Sequence, residues 1–280
     1  MPDRRPGGRV GVVADNEISF GLVLTPTGTG REWVETVRRV EQQGWNSLLM
    51  PDTLWTPSPF STLAAAAAVT TTLRLRTWVI AAPMRSPAVV AREASTLQRL
   101  SDGRFELGIG TGRPDAEREA QQLGVPWGTA ADRIGQVQQV IAAVREKVRP
   151  VPQVVVTAAG VRMLAAAAGS ADRIGLALPP AATEPDLRVA VDRVGAATAT
   201  PPDLSLQLSG LAGRLPAWLS RSGLDPEALA GVGAVGMLTG DPRQMADTLR
   251  RRRDEFGIDE VIVPGELADD FAPVIRLLAG

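Results

Sequence analysis

Short runs of strand-forming residues alternate with longer helical patterns along the whole chain, and this alternation limits the fold more than any other feature. Ile18–Thr25 reads as a strand and Glu32–Gln43 as a helix, with Trp33, Val37 and Val40 at helical spacing. The pattern repeats as Ser47–Pro51 and an Ala-rich helix Pro59–Thr71, Leu73–Ala81 and Pro87–Leu100, and Arg104–Ile109 and Asp132–Val148. It continues as Gln153–Thr157 and Val161–Ala168, Arg173–Leu178 and Asp186–Ala197, Leu204–Leu211 and Pro242–Phe256, and Ile258–Val263 and Asp269–Leu278. Eight β/α units in a chain of 280 residues is the arithmetic of an α/β fold of the (β/α)8 TIM-barrel type. A doubly wound open sheet shares the alternation, and strand count alone does not separate the two. No Ser/Gly-rich linker or composition break divides the chain, so residues 18–280 are expected to form one domain and residues 1–17 an N-terminal extension. The segment 214–240 is expected to hold one or two short helices before an irregular Gly-rich stretch.

Composition then narrows the chemistry. Cys, His and Tyr are absent, which excludes disulfides, Cys/His zinc sites, and Ser-His-Asp or Cys-His nucleophilic catalysis. Lys147 is the only lysine and follows no Gly-rich loop, so Schiff-base and P-loop chemistry are not expected. Catalysis must draw on carboxylates, hydroxyls, Arg, the backbone or a bound cofactor. With 30 basic and 31 acidic side chains, the net charge of −1 argues against nucleic-acid binding by phosphate neutralisation and against an electrostatic membrane anchor. No apolar run approaches the ~18 residues of a membrane span, and Asp15 and Glu17 interrupt any signal core. The expectation is a soluble cytoplasmic protein with no metal, nucleic-acid or membrane partner.

In a barrel the active face lies at the C-terminal ends of the strands. Those ends carry Thr25-Pro26, Pro51-Asp52-Thr53, Trp78-Val79-Ile80-Ala81, Gly110-Thr111-Gly112-Arg113, Thr157-Ala158-Ala159-Gly160 and Pro179-Pro180. Backbone amides in such turns can approach an anion closely, and a helix N-terminus favours a phosphate. Glycine at alternate positions in Leu107–Gly112 leaves room for a ring system or for a neighbouring backbone, and the spacing does not choose between them. Arg113 could contact an anion or form an ion pair with Asp115 or Glu117. Gly231-Val232-Gly233-Ala234-Val235-Gly236 matches G-x-G-x-x-G, but a helical pattern precedes it and Gly240-Asp241-Pro242 breaks the chain soon after. It therefore reads as a loop and not as a dinucleotide site. Arg250–Arg253 reads as the C-terminal end of a helix whose buried face is Met245, Leu249 and Phe256, where cations suit the helix dipole and Asp254 and Glu255 follow. Ala64–Ala68 reads as a close-packed helix face.

Taken in order, Gly44–Asp52, Pro87–Ala94, the S-x-G-R-F-E-L-G-x-G-x-G block Ser101–Gly112, Gly240-Asp241-Pro242, Ala246–Leu249 and Phe256–Val261 resemble the bacterial luciferase-like monooxygenase superfamily. That superfamily includes flavin-dependent monooxygenases and oxidoreductases using the deazaflavin coenzyme F420. The resemblance spans residues 20–279 and implies a (β/α)8 barrel with the cofactor ring in its mouth. It implies that Asp52 and Thr53 stand where the family commonly has Asp-His, and that Trp78 and Val79 form a strand-three bulge with a non-prolyl cis peptide behind the ring. It further implies that Thr111 and Arg113 face the reacting edge, and that Ala159 and Gly160, followed by Val161 and Arg162, hold the cofactor phosphate. Thr53 removes any imidazole acid/base step, the phosphate turn is Thr157-Ala158-Ala159-Gly160, and only Arg149-Pro150-Val151-Pro152 separates helix four from strand five. The implied activity is hydride transfer between F420 and an organic substrate, with Thr111, Arg113 and Asp52 as catalytic residues. An FMN-dependent monooxygenase and a cofactor-less binding or structural protein are the alternatives. Apolar Trp55, Trp78 and Trp127 imply a partly hydrophobic substrate. The small and apolar positions of helices Leu63–Thr71 and Pro87–Leu100 imply a homodimer.

Overall fold

The computed structural model describes residues 18–278, so the expected extension at residues 1–17 lies outside the described residues. Eight parallel strands form the wall: β1 Ser19–Val23, β2 Ser47–Met50, β3 Arg74–Thr77, β4 Phe105–Gly110, β5 Gln153–Ala158, β6 Arg173–Leu176, β7 Asp203–Gln207 and β8 Ile258–Pro264. Each is followed by a helix: α1 Gly30–Gln42, α2 Pro59–Ala67, α3 Pro87–Leu100, α4 Ala130–Lys147, α5 Val161–Ala168, α6 Glu184–Ala197, α7 Pro242–Phe256 and α8 Ala268–Leu278. The strands pair in the order β3-β2-β1-β8-β7-β6-β5-β4, and β3 pairs back onto β4 through Leu75↔Phe105 and Arg76↔Glu106. The sheet is therefore a closed barrel and not an open doubly wound sheet.

Local signals set the helix starts. Thr29 with Glu32, Thr129 with Asp132, Thr183 with Asp186 and Asp241 with Gln244 form capping boxes at the starts of α1, α4, α6 and α7. Pro59 and Pro87 occupy the first helical positions of α2 and α3. Gly257, at φ +71, ends α7 in the left-handed conformation that suits glycine. Two expected strands are each interrupted. Leu73–Ala81 breaks at Trp78-Val79 and resumes as Ile80–Ala81 against β4; Leu204–Leu211 ends at Gln207, and Gly210–Leu211 pairs instead with Met237–Leu238. Short helices at Ala217–Ser220 and Pro226–Gly231 occupy the stretch before that pairing, and a further helix, Glu117–Gln122, follows β4.

One apolar cluster fills the space between wall and helices. It includes Leu22, Leu48, Leu75, Leu107, Val156 and Val263 from strands, and Val37, Leu63, Val90 and Val140 from helices. The lumen is different. Arg76 on β3 is fully buried and reaches Glu260 on β8, three strands away around the wall, so this contact crosses the lumen. Its Nη1 and Nη2 donate to the two Glu260 oxygens at 2.7 Å each, and its Nε donates to Glu106 at 2.6 Å. Ser205 Oγ donates to Glu260 at 2.6 Å, and Arg173 pairs with Asp259 and Asp203 while its Nε lies 3.8 Å from Glu260. TIM-barrel lumens are usually layers of branched apolar side chains; here the lower lumen is an ion network. Burial alone would raise the Glu260 carboxyl, but the charges of Arg76 and Arg173 outweigh it and hold the group well below the usual carboxylate range. Burial likewise pulls Arg76 down, and Glu106 and Glu260 overrule it, so the guanidinium is held protonated.

The block Ser101–Gly112 is explained largely by this architecture. Asp102 and Gly103 turn the chain at φ +52 and +84. Arg104 donates to the carbonyls of Ala67, Thr70 and Leu73, closing the end of α2. Glu106 belongs to the ion network, and a Cβ on Gly108 would collide with the Thr77 carbonyl.

Candidate functional site at the barrel mouth

The C-terminal ends of the strands form a mouth in which β3 makes the most irregular contribution. The Trp78–Val79 peptide is cis. Val79 packs toward β4, where its side chain lies 3.2 Å from a Cβ built on Gly108 and 3.1 Å from one built on Gly110. The alternating glycines of β4 thus make room for the Thr77 carbonyl and for Val79, which decides the question left open by their spacing in favour of close packing. Gly112, at φ +85, leaves room for the Trp127 ring, which carries the Arg133 guanidinium 4.6 Å from its centroid.

Trp78 extends into the lumen above the ion network. Its Nε1 donates to Gln207 Oε1 at 2.7 Å, and the Arg76 guanidinium carbon lies 5.9 Å from its ring. Gln207 ends β7, and β7 is diametrically opposite β3, with three strands between them on either side. The half-buried indole therefore lies across the barrel as a floor to the mouth. Gly175 on β6 permits this, because a Cβ there would stand 2.7 Å from Trp78 Cη2.

Two of the charged residues expected at the mouth, Asp52 and Arg113, are tied to other side chains. Asp52 accepts two hydrogen bonds from Arg85, at 2.9 and 2.6 Å, and its side chain is 11% exposed. This pair joins the turn after β2 to the segment leading into α3, and it occupies the carboxylate read from sequence as a cofactor anchor or proton relay. Thr53 shares a hydrogen bond with Thr56, their hydroxyls 3.0 Å apart. Arg113 was expected either to be a free cation or to pair with Asp115 or Glu117. It pairs with Asp115 at 2.8 Å and with Glu119, and it stacks 4.4 Å from the Trp55 ring centroid. Glu119, only 4% exposed, also accepts the Leu54 amide at 2.8 Å, so it links the β2 and β4 loops. Sequence reading missed Glu119 because the short helix that carries it has no capping signal. The half-buried Thr111 hydroxyl has no hydrogen-bond partner among the described residues and remains available to a ligand.

After β5, Ala159, Gly160, Val161 and Arg162 are all exposed. Gly160 starts α5 without any side-chain cap, and a Cβ at Gly160 would meet nothing within 4 Å. The first amides of α5 and the Arg162 guanidinium are therefore available to an anion. Thr157, three residues earlier, lies against Gly110 and beside Gly175 and so adjoins the Trp78 floor. A planar floor and an uncapped, cationic helix start about 10 Å of chain away suit a ring carrying a phosphate. Among the described residues, no group of three or more acidic side chains is placed to hold a metal ion, and no helix is long and apolar enough to cross a membrane.

A closed parallel barrel with helices between its strands and a polar mouth at the strand ends defines a (β/α)8 protein. This chain belongs to the luciferase-like monooxygenase family, whose model matches residues 9–212. It is similar to an F420-dependent glucose-6-phosphate dehydrogenase of Intrasporangium calvum, 35% identical over 124 residues, which are 41% of this chain and 37% of the relative. It is also similar to a 5,10-methylenetetrahydromethanopterin reductase of Methanolobus tindarius, 26% identical over 39% of this chain and 33% of the relative. The chain thus spans well under half the length of these curated relatives. The F420-dependent tetrahydromethanopterin reductase of Methanopyrus kandleri has the same fold, with a TM-score of 0.70 at 16% identity over 94% of this chain and 98% of that one. A riboflavin lyase solved with modified FMN and riboflavin superposes with a TM-score of 0.73 at 16% identity, over 94% and 91% of the two chains.

Proposed function

We propose that this protein is a cytoplasmic oxidoreductase that binds F420 at the barrel mouth and transfers a hydride to or from a small, partly hydrophobic organic substrate. The observation that carries this reading is the uncapped start of α5 at Gly160, with Arg162 beside it, next to the Trp78 floor. Similarity to F420-dependent glucose-6-phosphate dehydrogenases supports the choice of cofactor. F420 supplies the hydride chemistry when bound; the protein binds and orients it. In this reading the amides of Gly160 and Val161 and the Arg162 side chain take the phosphate, Ala159 shapes the turn, and Val79 and Trp78 bound the ring. Asp52 and Thr53 hold the β2 turn that closes one side. Thr111 offers its hydroxyl to a substrate carbonyl or imine. Arg113 supplies positive charge at the reacting edge while Asp115 and Glu119 fix its position.

Fluorescence titration of the purified protein with F420 and with FMN tests the reading. Saturable F420 binding, tighter than FMN, is expected. Binding of FMN alone replaces the reading with an FMN-dependent monooxygenase, and binding of neither replaces it with a cofactor-less protein. We further propose a homodimer formed through α2 and α3, the latter of which leaves Val89 and Leu100 about half exposed. Light scattering is expected to give twice the chain mass; a monomer across a wide concentration range removes this proposal.

A further inference from the structure

The Trp78–Gln207 contact fixes more than the indole. An indole N–H can only donate, so the Gln207 side chain must turn its oxygen toward Trp78. The amide nitrogen is thereby committed to the other direction. Neither of its two hydrogens has a protein acceptor among the described residues, and the atom is not enclosed in the protein interior. Gln207 is the last residue of β7 and half-buried, so this unspent donor sits at the C-terminal rim of the wall, beside the half-buried Trp78 ring.

The ring itself is held from several directions. Backbone of β3 anchors one end and Gln207 the other; Gly175 gives its edge room, and Arg76 lies beneath. Arg76 is in turn immobilised by Glu106 and Glu260. A large aromatic surface placed this firmly costs little further ordering when a ligand stacks on it.

We propose that Gln207 is a ligand-binding residue oriented by Trp78, and that the two together recognise a planar heteroaromatic ring carrying a carbonyl oxygen. The indole supplies the stacking face and the Gln207 NH2 donates to the carbonyl. Deazaflavin and flavin rings both have such carbonyls on their pyrimidine portion. This rests on the cofactor reading above and adds to it the residue on the far wall that reads the ring.

The test uses the full chain and three variants. Gln207→Glu keeps an acceptor for Trp78 but loses the NH2 donor. Gln207→Leu loses both, and Gln207→Met does the same with an unbranched side chain, standing in if the acidic variant does not fold. F420 affinity is read by fluorescence titration, and the Trp78 indole N–H by its NMR signal, assigned from its absence in Trp78→Phe. All the Gln207 variants are expected to weaken F420 by about tenfold or more. The indole signal is expected to stay downfield in Gln207→Glu and to move upfield in Gln207→Leu and Gln207→Met. A folded Gln207→Glu, or Gln207→Met in its place, that binds F420 as tightly as the native protein overturns the donor role and leaves the cofactor reading standing. A native protein that binds neither F420 nor FMN overturns the cofactor reading itself, and this inference with it.

Discussion

Arg113 shows how a side chain proposed to act at the reacting edge is also part of the scaffold. Its charge is balanced by Asp115 and by the buried Glu119, whose other oxygen holds the Leu54 amide. Removing the guanidinium leaves Glu119 buried without its cation, so Arg113→Ala is expected to lower stability by about 1–3 kcal/mol, the range for an unsatisfied buried polar group. Chemical denaturation checks this, and an unchanged midpoint shows that the pair contributes nothing. Thr111 is the opposite case, a hydroxyl with no hydrogen-bond partner among the described residues. Thr111→Val is expected to leave the melting temperature within a few degrees and to lower turnover about tenfold or more, since only a ligand contact is lost. The sequence placed Thr111 and Arg113 correctly at a strand end, but it held no sign of Glu119. That residue comes from a helix of six residues without a cap, and its partners lie 6 and 65 positions away.

At the level of elements, the glycines of the strand ends separate into two kinds. Gly108 faces the Thr77 carbonyl, which is backbone and cannot move aside, whereas Gly160 opens onto empty space at the start of α5. Gly108→Ala is expected to be among the strongly destabilising substitutions, about 3 kcal/mol or more, by overpacking against a fixed strand. Gly160→Ala, at the first capping position of α5 with open space around it, is expected to cost no more than about 1 kcal/mol in stability. Thermal melts of the two variants check the contrast; equal effects contradict it. Element order and most boundaries were legible because helical periodicity, Pro at helix starts and Thr/Asp caps are local signals, as at Thr29, Thr129 and Asp241. The break of the third strand at Trp78-Val79 left no local signal in composition or periodicity, and the resemblance in the block after it was what pointed there. The split at Gln207 depends on pairing with Met237–Leu238, which is remote in sequence.

For the whole molecule, the lumen is where local reading reached least far. Arg76, Glu106, Arg173, Ser205 and Glu260 each look like an isolated polar residue within an apolar strand. They become one network only when the barrel closes and brings β3, β4, β6, β7 and β8 around a common axis. The network ties stability to pH. Because Glu260 is held below its ordinary value of 4.5, its contribution is complete above that pH, where the unfolded chain is also ionised, and is lost as pH falls toward the folded-state value. Glu260→Gln is expected to cost about 3–5 kcal/mol at neutral pH by leaving Arg76 short of a partner. Its stability is also expected to fall less steeply between pH 5 and pH 3 than that of the native protein. Denaturation midpoints across that range check both; parallel curves for the two proteins contradict the linkage.

The mouth between Trp78 and Gly160 is proposed as a ring-and-phosphate site. A crystal structure of the protein grown with saturating F420 tests it directly. The predicted result is the deazaflavin ring over the Trp78 indole, with the phosphate on the amides at the start of α5 near Arg162. F420 seated anywhere else, or a mouth that stays empty at saturating ligand, contradicts it.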